Sequence, residues 1–303
     1  MNLLKSFVVL VLLLASGTAL HAESGSKEVI YIKSERFATP LIQKWIEEYK
    51  KVNNQVDIRI ADKHTETKDI RMQLTTADNP KVEKNEFVNN WGRYALLPVA
   101  NKESDLLEKS KVNEKTLKAI FFEQSIPEDK SKENKDIPVS VYSGAGKASF
   151  SPVFASFLGA DNSEWKGKKI AGDDAFLINA IQKDKQGITV NSLNYIYDFS
   201  NQELKANIAI LPVATKKEHK EVLEKAELNE VISLLENEKV ALIPVGNLGI
   251  KYEKNNTEVR AFAKWILSEG ISHNHAFGFL KPKQEELVAE INRIEKLELT
   301  SLY

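Results

Sequence analysis

Val29-Ile30-Tyr31-Ile32-Lys33-Ser34-Glu35-Arg36-Phe37-Ala38-Thr39-Pro40-Leu41-Ile42-Gln43-Lys44-Trp45 decides the fold. Val29 to Ile32 is a run of apolar and aromatic residues, rich in β-branched side chains, and reads as a buried strand. Thr39 is an N-cap candidate, and Pro40 suits the first helical position, where its missing N–H has no helical partner to lose. Leu41, Ile42, Trp45, Ile46 and Tyr49 recur at helical spacing and predict a helix from about Pro40 to Val52. Val56-Asp57-Ile58-Arg59-Ile60 then alternates as the next strand. Strand, helix and strand in this order build a mainly parallel sheet.

A second passage from strand to helix carries the chemistry. Ile137-Pro138-Val139-Ser140-Val141-Tyr142 runs into Ser143-Gly144-Ala145-Gly146-Lys147-Ala148-Ser149 and then an apolar helical pattern. Gly144 and Gly146 let the backbone approach a bound group. Ser143, Ser149 and Lys147 supply donors, and the following helix would aim free N–H groups at the same spot. Ser151-Pro152 offers a later start for that helix, which would lengthen the loop and leave its amides less focused. The Gly146-Lys147 pair does not make a nucleotide P-loop, because position 148 is Ala and position 141 is not glycine.

Met1 to Ala22 has one cation, Lys5, then the apolar run Phe7 to Ala15, then small residues ending at Ala22. This is the pattern of a cleavable signal peptide, and the run is too short for a permanent span. The chain contains no cysteine, which excludes disulfides, thiol catalysis, cysteine metal sites and a lipidated N-terminal cysteine. The expectation is a freely diffusing exported protein. The roughly 280 residues after Ala22 suffice for two lobes. With 42 basic and 43 acidic side chains, no global field favours nucleic acid or anionic lipid, so charge recognition must be local.

Further along, Ala95-Leu96-Leu97-Pro98-Val99, Ala209-Ile210-Leu211-Pro212-Val213 and Ala241-Leu242-Ile243-Pro244-Val245 share one theme. Each reads as a short buried strand whose proline stops pairing near its end, and the first and third are candidate crossings between lobes. Helices are expected around Phe154 to Leu158, Asp174 to Gln182 and Gln284 to Leu297. Thr257 is the candidate cap of another helix that stops at Gly270. Glu128 to Asp136 is a polar loop. His273 and His275 read as a solvated helix start, and His64 and His219 as isolated. Asp173-Asp174, after Gly172, reads as a helix cap, with a ligand-facing role at the lobe interface as the alternative. No nucleophile elbow, glycosidase carboxylate pair or zinc-protease helix is present, and the aromatic residues sit at core-like positions.

The order of segments resembles the phosphate-type periplasmic solute-binding proteins of ABC importers, over most of the chain after Ala22. The most specific matches are Val112-Asn113-Glu114-Lys115-Thr116-Leu117-Lys118-Ala119-Ile120-Phe121, similar to the family's segment after its first crossing, and Gly144-Ala145-Gly146-Lys147, at its glycine-serine-glycine-threonine loop. Gly187 to Tyr197 and Phe262 to Gly278 resemble two further family segments. The resemblance implies an α/β, two-lobed type II architecture, each lobe a mainly parallel sheet flanked by helices, with two crossings. The expected boundaries are 1–22 for the signal peptide, 23–102 with 241–303 for lobe 1, and 103–240 for lobe 2. It also implies capture of a small ligand, phosphate or another oxyanion, and delivery to an inner-membrane permease.

The departures concern the ligand cage. The family's first-loop serine and threonine fall on Glu35 and Phe37, and its second-loop serine, threonine and arginine on Ala145, Lys147 and Ala148. Ala61 to Ile70 is too short for another helix plus a strand, so the family's second helix and its serine-aspartate strand are expected to be missing. Micromolar capture requires about 8 kcal/mol, and charge-assisted hydrogen bonds contribute about 1.5–3 kcal/mol each, so four or five contacts suffice. Glu35 at about 4 Å from an anion would cost about 4 kcal/mol at an effective dielectric near 20. The candidate ligand residues are Ser34, Arg36, Ser143, Gly144, Ala145, Gly146, Lys147 and Ser149. No catalytic or metal residues, no cofactor and no nucleic-acid partner are expected; a monomeric periplasmic binding protein is. The alternative is an envelope protein that kept the fold as an interaction or sensor module.

Overall fold

The computed structural model describes residues 29–76, 81–108, 112–123, 138–146, 149–211, 213 and 216–300. The signal-peptide segment, Lys147, Ala148, Pro212 and the Glu128 to Asp136 loop lie outside them.

β1 (Val29–Lys33) leads through a 3-10 turn, Arg36–Ala38, into α1 (Thr39–Val52), and β2 (Asp57–Ile60) and β3 (Ile70–Thr75) follow. β4 (Glu86–Asn101) is 16 residues long. Next come α2 (Glu114–Phe121), β5 (Ser140–Gly144), α3 (Ser151–Phe157), β6 (Lys168–Ile170), α4 (Ala175–Ile181) and β7 (Gly187–Ser192). α5 (Leu193–Ile196), β8 (Tyr197–Asp198), β9 (Glu203–Leu204), β10 (Ile208–Ile210), α6 (Lys217–Lys225) and α7 (Leu228–Asn237) continue the chain. β11 (Val245–Glu253), α8 (Thr257–Ser268), a 3-10 stretch, Gly270–Phe277, and α9 (Gln284–Thr300) complete it.

Nine strands form one sheet in the order β2-β1-β3-β11-β4-β7-β5-β6, with β10 also on β4. The sheet repeats one pattern twice. In the first half, β2-β1-β3-β11-β4, the strand β11 is antiparallel to both β3 and β4, and the others run parallel. In the second, β6-β5-β7-β4-β10, the end of β4 is antiparallel to both β7 and β10. Each half therefore holds four strands of one direction and one reversed strand that arrives from the other half. β4 carries both roles because its first part pairs with β11 and Leu96 to Ala100 pair with β7. Buried on both faces, its run from Tyr94 to Asn101 is almost continuously apolar.

The helices cover the sheet with the faces that the sequence marks. α1 buries Leu41, Ile42, Trp45 and Tyr49, and the Trp45 indole N–H donates to the Gly270 carbonyl at 2.8 Å. Such a partner is what a buried indole needs. α8 buries Val259, Phe262, Ala263, Ile266 and Leu267 on the same layer.

Several local expectations change. The short segment after β2 holds only a single 3-10 turn, Thr67–Asp69, in place of an α-helix, but it does reach a strand: β3 pairs with β1 and β11. Its sequence, Ile-Arg-Met-Gln-Leu-Thr, has no serine-aspartate pair. Pro98 does not end β4; it sits opposite Val190 within the strand. Residues 241–244 precede β11 and are not a strand. Thr39 is the first residue of α1 rather than its cap, and its hydroxyl faces Ser34 Oγ and the Glu35 carbonyl. Asn256, not Thr257, caps α8 by accepting from the Val259 N–H. α9 continues to Thr300.

Candidate functional site

The loops that leave β1 and β5, the first strand of each half-sheet, meet. Phe37 ends the first loop and Phe150 the second, with their ring centroids 5.3 Å apart. Phe37 also packs on Phe279 at 6.0 Å, and Phe150 on Tyr94 at 4.9 Å. All four rings are buried. A polar contact crosses the same junction, where the Asn194 side chain donates to the Phe37 carbonyl at 3.4 Å. Both loops lie at carboxyl ends of parallel strands, where open α/β sheets place their ligand crevices.

In the first loop, Ser34 is half-buried and its hydroxyl donates to the Glu35 carbonyl at 2.8 Å. Arg36 is exposed. Its guanidinium makes no ion pair with any described residue. The Arg36 and Phe37 amides, ahead of the first hydrogen bond of the turn, face no described acceptor.

In the second loop, donors are largely engaged within the protein. Gly144 N–H donates to Ser151 Oγ at 2.8 Å, Ala145 N–H to the Ile170 carbonyl at 2.9 Å, and Ser149 N–H to the Gly146 carbonyl at 3.2 Å. Phe150 N–H donates to Asp174 Oδ2 at 2.8 Å, and Ser151 N–H to Ser149 Oγ at 3.1 Å. α3 starts at Ser151, with its proline in the first turn and no side-chain cap. The later of the two starts is the one adopted, so the loop is long and its amides turn inward. Ala145 is exposed, Gly146 half-exposed, and Ser143, Gly144 and Ser149 are buried. Ser143 Oγ has no hydrogen-bond partner among the described residues.

Asp174 organises this loop. The Ala175 N–H is capped by Asp173 Oδ1 at 2.9 Å, which frees the Asp174 carboxylate to reach Phe150. Its Oδ1 has no well-aligned hydrogen bond among the described residues, with the Ser149 hydroxyl its polar neighbour. Burial pushes the Asp174 carboxyl above its ordinary value, against the Phe150 N–H and the Ser149 hydroxyl, while Asp173 adds to the rise. A raised folded-state value stabilises the fold below the usual carboxylate range, and this is lost as pH rises through that value. Asp174→Asn is expected to remove the fall in stability that sets in as pH rises above the ordinary carboxylate value of about 4, as read by urea unfolding, while keeping an acceptor for Phe150. Tyr195 faces Asp173 beside the same junction. Burial, then the hydrogen bond to Asp173, pushes its hydroxyl upward, with Arg36 pulling it back.

Sequence reading placed both loops but missed Asp174 as the loop's anchor and Phe37 as the junction contact. A capping aspartate has the same sequence signature whichever way its side chain turns. His219 is not isolated: it is buried and lies 2.6 Å from Glu238 Oε2. His275 is not simply solvated either, because it lies 2.8 Å from Glu236 Oε1. Among the described residues, no three metal-binding side chains cluster.

No family model and no curated protein matches the sequence. Solved structures do. A putative phosphate ABC transporter substrate-binding protein with bound phosphate from Clostridium perfringens aligns with a TM-score of 0.60 at 16% identity, over 84% of this chain and 100% of its own. An ABC-type phosphate transport receptor from Vibrio cholerae gives 0.57 at 12%, over 84% and 100%. The reduced OxyR regulatory domain from Pseudomonas aeruginosa gives 0.50 at 12%, over 80% and 96%. The chain thus has the α/β, two-lobed type II periplasmic binding protein-like fold.

Proposed function

We propose that this chain is a non-catalytic binding protein of the periplasm that captures a small ligand where the first loops of its lobes meet. The convergence of Ser34–Phe37 and Ser143–Phe150 on one inter-lobe contact carries this reading. Residues 23–102 with 241–303 form lobe 1 and residues 103–240 lobe 2, with β4 and the passage into β11 as hinges. Closure on a ligand held by both lobes then follows from differential affinity for the closed form. Arg36 supplies charge, the Arg36, Phe37 and Gly146 amides supply donors, and Lys147 is the second cation. Fold neighbours described as phosphate-binding make phosphate and related oxyanions the first ligands to test, with an inner-membrane permease as recipient.

The test is thermal melting with phosphate, sulfate, carboxylates, amines and sugars. A ligand at 100 times its dissociation constant stabilises by about 2.7 kcal/mol, a rise of about 5–10 °C at this size. Arg36→Ala is expected to abolish the rise. A shift that persists in Arg36→Ala removes that residue from the site.

A second reading has its own observation. Five amides of the second loop, those of Gly144, Ala145, Ser149, Phe150 and Ser151, are engaged internally, and Glu35 stands in the first loop. On this reading the fold serves contact with an envelope protein, and no panel member shifts the melt. A regulatory domain among the fold neighbours shows that the architecture is not confined to transport receptors.

A further inference from the structure

The lobes are also joined away from the ring contact, through the segment that follows α8. Glu236, in the last turn of α7, gathers two groups from that segment on one oxygen. His275 Nε2 lies 2.8 Å from Glu236 Oε1, and the Lys281 backbone N–H donates to the same atom at 2.5 Å. A carboxylate only accepts, so His275 carries its proton on Nε2. Arg93 of β4 completes the arrangement by donating Nε to the Lys281 carbonyl at 2.8 Å and Nη2 to the Glu236 carbonyl at 3.4 Å. Its own backbone exchanges hydrogen bonds with Leu280 at 2.8 and 2.9 Å. The segment is thereby fixed to lobe 1, while its outward groups engage lobe 2.

A few residues earlier the same segment touches lobe 2 again. Gly278 has φ +75°, and a Cβ there would stand 2.6 Å from Phe199 Cζ and 2.7 Å from the Asn194 amide nitrogen. Asn194 is the residue that reaches the Phe37 carbonyl. The strap therefore connects directly to the crevice contact. Glu236 itself is mostly buried, with 17% of its side chain exposed against 34% for His275. Buried charge-assisted bonds of this kind are stronger than surface pairs.

We propose that residues 270–281 form an inter-lobe strap, with Glu236 as its latch, that biases the two lobes toward the closed arrangement even without a ligand. This rests on the two-lobe reading but requires no ligand. The absence of native cysteine makes its test direct. Spin labels at Lys63→Cys, just after edge strand β2, and Lys169→Cys, in edge strand β6, report the separation of the two ends of the sheet in the full exported chain. The reference protein is expected to show one dominant distance. Glu236→Gln and His275→Gln are each expected to raise a second, displaced population about tenfold, the change that follows from losing one charge-assisted bond. Distributions identical to the reference in both variants, with melting curves showing folded protein, would overturn the latch. Should Glu236→Gln fail to fold, the partly exposed His275→Gln decides alone. Ligand binding is not part of the readout, so a chain that binds nothing in the melting panel leaves this result interpretable.

Discussion

Trp91→Ala is expected to destabilise the protein by about 3–5 kcal/mol, the range for removing a large aromatic side chain from a core. At this chain length that corresponds to a fall in Tm of about 6–20 °C. Trp91 is fully buried in β4. Its ring lies edge-on to Trp45 at 4.9 Å and to Phe279 at 5.4 Å, and its indole N–H donates to the Gly249 carbonyl at 3.2 Å. Truncation leaves a cavity and removes the donor to that carbonyl. The consequence also reaches further, because Trp45, Trp91, Phe279, Phe37, Phe150 and Tyr94 form one chain of ring contacts from α1 to the lobe junction. Urea unfolding measures the loss. Trp91→Phe should recover most of it, and equal losses in both variants would show that ring packing is not the cause.

Gly144→Ala is expected to destabilise by about 3 kcal/mol, at the upper end for overpacking, and to abolish any ligand-dependent shift. Its Cβ would stand 2.0 Å from Ser149 Oγ, 2.7 Å from Ser149 Cβ and 2.6 Å from Asp174 Oδ1. Neither neighbour can retreat cheaply. Ser149 is buried and accepts from Ser151, while Asp174 holds the Phe150 N–H. Adding Ser149→Gly removes two of the three clashes, so the double variant is expected to be more stable than Gly144→Ala alone. Additive losses from the two substitutions would show that the contact with Ser149 is not the source of strain.

Both predictions bear on residues that the sequence marked unequally. Gly144 stood out because a glycine between a strand and a helix announces close approach. Trp91 carried no such mark, since it stands between Asn89-Asn90 and Gly92-Arg93, outside any apolar run. The strand–helix–strand unit from Val29 to Ile60 was legible because period and length agree at each step. β3 was not, because a strand reached through a loop lacks the helical spacer that normally announces it. The repeated strand order of the two halves was equally hidden, since it arises from pairing between segments far apart in sequence. Within the site, hydroxyls and glycines were visible as residue types, but the direction of their bonds was not. The turn of Asp174 toward Phe150 and of Ser151 toward Gly144 decides whether the loop faces a ligand, and neither follows from local propensity. The pairing of His275 with Glu236 lies across 39 residues and needs the fold to exist first.

Binding is proposed to occur where two loops, one from each lobe, meet. Hydrogen exchange followed by mass spectrometry, with and without the panel ligand that most raises the melting temperature, tests it most directly. The predicted result is slower exchange in peptides covering 34–39 and 143–151 together, absent in Arg36→Ala. Stabilisation by that ligand with unchanged exchange in both loops would contradict it, because the ligand would then be held elsewhere on the molecule.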